Sequence, residues 1–421
     1  MMRVILFSLF LTTTFVSAYE FLYPVAYSKQ REKTNVYVLY QKSTNHVELW
    51  IMDEETGIAS KGLLSSYTPA GLQLLPNKSG FSFIDNGRIR IKTFAKRSPK
   101  SIDIYEPVYH INVIHWLDDK RFYMSAKKNG SFCIFQLDQQ GIIDFILEEL
   151  DVDYMYPQKK GDDLFYIERT VEHGFKRERV THRVVRTIYP VVERKLPVLS
   201  ENDTCESEIV LDDFINSDFS PKQIMPTEKE CIVDFKSSAI AFLHMVSDTQ
   251  GFLLEHPTDV DRRDKLIPFN YYEIKKGDDG WECNELFQFS VPAHIILHKS
   301  YARLYESMLP LLPKYKDGFI YFMDCSILRS LGDLSSVALA KEEVGPDIQG
   351  VNLDLFSYDL KTGDVSQKSF SKNGQLLFSP LFVGDVVFYG GIVNYDDRVE
   401  PAMWINDDGF VCIKLPSCQV N

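Results

Sequence analysis

The stretch Leu355-Phe356-Ser357-Tyr358-Asp359-Leu360-Lys361-Thr362-Gly363 decides the fold, because Leu49-Trp50-Ile51-Met52-Asp53-Glu54-Glu55-Thr56-Gly57 repeats it near the other end of the chain. Both read as a strand that ends in Asp and turns through a few polar residues to Gly. Asp bonds the turn backbone, and Gly supplies the positive φ that closes it. Shorter copies are Ile134-Phe135-Gln136-Leu137-Asp138-Gln139-Gln140-Gly141 and Trp404-Ile405-Asn406-Asp407-Asp408-Gly409.

A second pattern alternates with the first: an apolar or aromatic pair, a proline, a polar turn, then an apolar strand. It anchors at Pro76 before Phe81–Ile84, Pro157 before Leu164–Ile167, Pro313 before Phe319–Phe322 and Pro380 before Val386–Tyr389. Pro226 is a looser copy, and Trp116 holds the same place without proline. Pro76 to Trp116 spans 40 residues (116 − 76) and Trp116 to Pro157 spans 41 (157 − 116). That period matches one four-stranded propeller blade. The expected fold is therefore all-β, a β-propeller of seven four-stranded blades, or six if the first segment completes the last. A tandem of β-sandwiches is the alternative. Proline lacks a ladder donor, so the anchors Pro76, Pro157, Pro226, Pro313 and Pro380 should lie on or beside each blade's innermost strand. The apolar runs after them should be second strands, buried on both faces. The Gly turns should join third strands to fourth.

This alternation resembles the TolB-type, WD40-like propeller repeat of the bacterial envelope, although the Trp-Asp dipeptide of true WD40 repeats is missing. The resemblance implies a fold, and one such fold hosts many functions.

The chain has 421 residues, 29 Phe, 22 Tyr and a net charge of −13. Nucleic-acid binding needs local cations to displace counterions, so an acidic chain argues against that partner. Arg3, the apolar run Val4–Leu11 and Val16-Ser17-Ala18 have the layout of a signal peptide over residues 1–18, cut between Ala18 and Tyr19. The expectation is a periplasmic or secreted protein with no membrane span after the cut. Residues 19–421 then form one propeller, with insertions at about 169–222, 255–280 and 293–350; the last holds helix candidates at 300–308 and 326–343. Seven cysteines without a CxxC pair suit an oxidising compartment loosely, with Cys205–Cys231 and Cys412–Cys418 as candidate disulfides. Cys133 reads as a small core residue.

Arg169–Leu196 is basic, and Glu201–Asp218 carries seven acids and no Lys or Arg. They read as neutralising each other, or as a bipolar binding arm. HExxH, Gly-x-Ser-x-Gly, Walker and dinucleotide signatures are absent. His110 and His115, five apart in an extended chain, should face opposite ways. The acidic pairs at 118–119, 162–163, 278–279 and 407–408 read as turns. No catalytic, cofactor-binding or metal-ligating set emerges, and no cofactor is expected. The reading is an exported scaffold that binds a protein, glycan or small ligand through its funnel face or insertions. The alternative is a glycan hydrolase with two carboxylates in the channel.

Overall fold

A run such as Leu164-Phe165-Tyr166-Ile167 suits a strand only where both its faces are covered. The computed structural model meets that demand with wedged sheets. It describes residues 21–30, 33–43, 46–53, 59–61, 70–85, 87–94, 100–104, 108–173, 178–188, 222–223, 229–235, 238–257, 266–292, 312–325, 353–368, 376–377, 380–383, 386–395, 398–406 and 410–413.

The first sheet is β1 (Phe21–Gln30), β2 (Lys33–Ser43), β3 (His46–Asp53) and β4 (Ala59–Lys61). The second is β5 (Ala70–Leu74), β6 (Gly80–Asp85), β7 (Arg88–Thr93) and β8 (Lys100–Ile102). The third is β9 (Tyr109–Trp116), β10 (Arg121–Lys128), β11 (Ser131–Asp138) and β12 (Ile143–Leu147). The fourth opens with β13 (Val152–Lys160), β14 (Asp163–His173) and β15 (Glu178–Ile188). The short β16 (Lys222–Gln223) then runs parallel to β12, and β17 (Lys229–Phe235) completes the fourth sheet. The fifth is β18 (Ser238–Met245), β19 (Gln250–Pro257), β20 (Leu266–Gly277) and β21 (Gly280–Pro292).

The sixth sheet has nine strands in two runs. The first run is β22 (Lys314–Lys316), β23 (Phe319–Cys325), β24 (Leu353–Asp359) and β25 (Val365–Gln367). A bridge, β26 (Leu376–Leu377), leads to β27 (Leu381–Val383), β28 (Val386–Tyr395), β29 (Arg398–Asn406) and β30 (Phe410–Ile413). The propeller therefore has six blades, not seven. The repeat at Pro380 is no separate sheet, because β26 pairs with β24 at Leu353↔Leu376 and with β28 at Leu376↔Ile392, joining the two runs through hydrogen bonds.

Packing closes the ring. In β14, Leu164 and Tyr166 pack with Tyr123, Ile134 and Leu147 of the third sheet. Phe165 and Ile167 pack with Ile240, Leu243 and Leu253 of the fifth. All four β14 residues are at most 1% exposed, as the sequence requires. Phe252, Phe269 and Tyr271 of the fifth sheet then meet Ile320, Phe322 and Leu353 of the sixth. Tyr37 of the first sheet meets Phe81 of the second at 4.8 Å, and β1 lies against β28 and β29. Burying each large side chain contributes about 1.5–3 kcal/mol. The run Phe319–Phe322 differs: Phe319 and Tyr321 are half-buried, and Tyr321 meets the ring of Phe382 at 4.6 Å.

The strands that open successive runs also touch one another: β1 with β5 and β27, β5 with β9, β9 with β13, and β13 with β18. They form the inner ring. Pro157 lies in β13, Pro313 and Pro380 immediately precede β22 and β27, and Pro76 sits in the exposed turn after β5. Pro226 falls outside the described residues. Gly141 (φ 84°) joins β11 to β12 and Gly363 (φ 76°) joins β24 to β25. Asp138 Oδ1 accepts the Gln140 amide at 2.8 Å, and Asp359 Oδ1 that of Lys361 at 2.8 Å. Gly57, Gly409 and the helix candidates at 300–308 and 326–343 lie outside the described residues. Residues 178–188, within the first expected insertion, form β15, and 266–277, within the second, form β20.

Polar bridges lock the inner strands. Gln73 Nε2 donates to the Ile114 carbonyl, Trp116 Nε1 to Ser82 Oγ at 2.7 Å, and Ser125 Oγ to the Tyr154 carbonyl at 2.8 Å. Gln158 makes two such bonds: its Nε2 donates to the Leu243 carbonyl, and its Oε1 accepts the Met245 amide at 2.8 Å. Gln158→Ala leaves both β18 groups without this partner, so it should destabilise the chain by about 2 kcal/mol. Lys361→Ala, on the exposed Gly363 turn, should shift stability by less than about 0.5 kcal/mol. Urea midpoints of the two variants check both expectations.

Candidate functional site

Bulges aim the inner strands. Register shifts fall between Pro24 and Ala26 in β1, Ala70 and Gln73 in β5, Met155 and Gln158 in β13, and Ile240 and Phe242 in β18. In the β9–β10 pair, Ser125 faces Val113 while Lys127 faces Tyr109, so β9 carries the extra residues. Such bulges bend a strand and re-aim its side chains. His110, inside the β9 bulge, has φ 51° and is exposed. The strict alternation assumed between His110 and His115 therefore does not hold across β9.

The inner strands end at the same face, where hairpin turns lead to β2, β6, β10, β14, β19, β23 and β28. Near those ends stand His115 of β9, Lys160 of β13, His244 of β18, and Lys314 and Lys316 of β22. Four of these groups act on one another. Burial pushes His115 down to about 4, and the Lys160 charge pushes it the same way. His244 is also lowered to about 4, by loss of hydration first and then by Lys314, Lys160 and His115. Loss of hydration lowers Lys314 too.

His244 and Lys314 are nevertheless exposed, and His115 is half-buried. All three stand near the ends of inner strands, each of which pairs on one side only. The Phe242 ring stacks beside His244, with centroids 6.1 Å apart and an interplanar angle of 8°. Lys316 Nζ lies 4.9 Å from the Phe382 ring centre.

The composition of the inner strands is lopsided. Together β1, β5, β9, β13, β18, β22 and β27 carry five lysines (29, 159, 160, 314, 316), three histidines (110, 115, 244) and one acid, Asp153. Asp153 is committed elsewhere: its Oδ2 binds Arg169 Nη1 at 2.7 Å and its Oδ1 accepts the Phe132 amide at 2.8 Å. Among the described residues, neither Lys160 nor Lys314 has a carboxylate partner. A chain of net charge −13 therefore carries a positive inner ring. No motif marks it because its members come from separate repeats; the signal was the Lys and His residues just before the hairpins that follow β9, β13, β18 and β22.

The other sequence candidates resolve differently. The arginines of the basic stretch pair within their own sheet: Arg186 with Asp163 and Glu230, both at 2.7 Å, and Arg183 with Glu168 and Asp234, both at 3.7 Å. These pairs are not with Glu201–Asp218, which lies outside the described residues. Lys229 Nζ joins Glu149 at 2.9 Å and Glu168 at 3.1 Å. Asp118 caps a turn, accepting the Lys120 and Arg121 amides at 2.8 Å. Asp163, by contrast, is a buried ion-pair partner rather than a turn residue.

Cys133 is buried in the core, its thiol pushed up to about 12 chiefly by burial. Cys231 is an exposed free thiol; Cys205 and Cys418 lie outside the described residues, as do Ala18 and Tyr19. The side chain of Cys412, in β30, is not described. No disulfide joins cysteines whose side chains are described.

No family model and no curated protein matches the chain by sequence. Among solved structures, the chain is similar to a puromycin-hydrolyzing peptidase of Mycobacterium tuberculosis, with TM-score 0.54 and 9% identity, over 95% of this chain and 54% of that one. It thus spans about half of that peptidase. It is also similar to the β-propeller domain of the Trilobed protease from Pyrococcus furiosus, with TM-score 0.46 and 10% identity, over 94% and 96% of the two chains. A protein described as TolB from Agrobacterium tumefaciens gives TM-score 0.39 and 12% identity over 65% and 90%. At these identities the likeness shows the fold alone. The TolB-type resemblance therefore stands as a propeller, not as a TolB identity or an envelope location. No helix among the described residues is long and apolar enough to cross a membrane.

The two imidazoles provide a test. A histidine held near 4 binds its proton later than the same residue in the unfolded chain, at about 6.5. The unfolded chain therefore takes up more protons between those values, and stability should fall as pH drops from about 6.5 to about 4. NMR of the imidazole C–H signals should show His115 and His244 titrating near 4. Lys160→Gln should move both upward, because it removes a repelling charge from each.

Proposed function

We propose that this chain is an exported β-propeller that binds a protein partner at the channel mouth ringed by the first hairpin of each run, with no catalytic step of its own. One observation carries the reading. The inner strands converge a set of titratable side chains on one mouth, while the charges of the fourth sheet are consumed in ion pairs. Rigid strands bring these side chains together from separate repeats, as fits a binding site. The layout of residues 1–18 supports export.

Nothing in the inner ring favours glycan hydrolysis. That chemistry needs two carboxyl groups across the scissile bond; among the described residues the one acid on the inner strands already binds Arg169, and Asp162, Asp248 and Asp317 sit on exposed turns.

The test places a photo-crosslinking residue at His244, or at Lys361 on the outer turn, in cells that make the full chain. The His244 position should yield a discrete protein adduct in the exported fraction, on a chain beginning at Tyr19. Adducts from Lys361 alone, or a chain that keeps residues 1–18 inside the cell, would overturn the reading.

A further inference from the structure

We infer that the channel mouth receives an acidic peptide segment, with Lys160 and Lys314 taking its carboxylates, His115 and His244 offering N–H donors, and Phe242 and Phe382 flanking its apolar side chains. This rests on the proposed binding role and names the chemistry of what binds there.

Geometry limits the ligand first. Lys160 closes β13 and Lys314 opens β22, beside the hairpins that lead to β14 and β23. His244 stands between them in strand order, on β18, and His115 stands on β9, the inner strand before β13; each is one residue before its strand ends. Both lysine charges reach His244. The cations thus lie at one level of the channel, and among the described residues no carboxylate neutralises Lys160 or Lys314. An ammonium group without a carboxylate partner, set at the end of an inner strand, is open to an incoming anion.

The choice of anion follows from what surrounds the cations. Lysine is a point charge, whereas planar, bidentate phosphate recognition favours arginine, and the inner strands contain no arginine. The mouth also presents rings: Phe242 stacked on His244, and Phe382 between Lys316 and Tyr321. Ammonium groups beside aromatic faces suit a segment that alternates carboxylates with apolar side chains. A long polyanion would meet the net charge of −13 outside the mouth, and that field opposes its approach. A short acidic segment meets less of that field, chiefly Asp162, Asp248 and Asp317 on the turns, before it reaches the lysines.

The probe is a fluorescein-labelled peptide alternating Glu and Phe, titrated into the full mature chain and read by anisotropy. Its Gln–Phe counterpart, inorganic phosphate and oligothymidylate serve as competitors. The Glu peptide should bind at least about tenfold more tightly than the Gln peptide, and more weakly as salt rises. Lys160→Gln and Lys314→Gln should each weaken it about five- to tenfold. Lys160→Arg should restore most of the binding, and Lys361→Gln should leave it unchanged. Equal binding of the Gln peptide, equal competition by phosphate or oligothymidylate, or indifference to both lysine variants would each overturn the inference. A crosslinked partner at His244 without binding of the Glu peptide would reject the acidic ligand and leave the docking mouth standing. Loss of both would reject the two together.

Discussion

Everything in this molecule depends on sheets being covered on both faces. Phe165 and Ile167 face the fifth sheet while Leu164 and Tyr166 face the third, and such runs cannot rest on solvent. Wedging each sheet between two neighbours satisfies them, and repeating the wedge bends the array until β1 meets β28. A channel is the geometric remainder. The strand that opens each run pairs on one side only, so its free edge lines that remainder. Bulges and glutamine bridges such as Gln158 then fix how it is turned.

Charge follows the same geometry. Outer strands have neighbours at hand, so acids and bases on β14, β15 and β17 neutralise one another across the fourth sheet. Inner strand ends face the channel and have fewer partners. Among the described residues Lys160 and Lys314 have no carboxylate partner, and burial lowers both His115 and His244. A chain that is acidic overall thus carries cationic inner strands behind turns that hold Asp119, Asp162, Asp248 and Asp317, a division that composition alone does not reveal. Net charge describes the average field of a surface, and a confined channel samples only its lining.

Much of the architecture was legible because turn chemistry is local. The Asp-to-Gly turns at Asp138 and Asp359 announce third-to-fourth hairpins in residues that sit side by side. The apolar run Leu164–Ile167 announces a strand covered on both sides. The blade count was harder, since it depends on two residues, Leu376 and Leu377, whose bridging has no sequence signature. The site was harder again. His115 and His244 belong to repeats far apart in sequence, and the bulge after Tyr109 breaks the alternation by which facing could be counted. Glycine announces some irregularities, but this one turns at His110, with φ 51°, where no glycine marks it.

The most direct test of the central claim is a short amine-reactive crosslinker applied to the folded chain, with linked peptides identified by mass spectrometry. Lys160 and Lys314 are remote in sequence and meet only if β13 and β22 line one channel. The account predicts a Lys160–Lys314 link that disappears when the chain is unfolded in urea. Lys160 linked only to lysines of its own and adjoining sheets, with no link to Lys314, would contradict it.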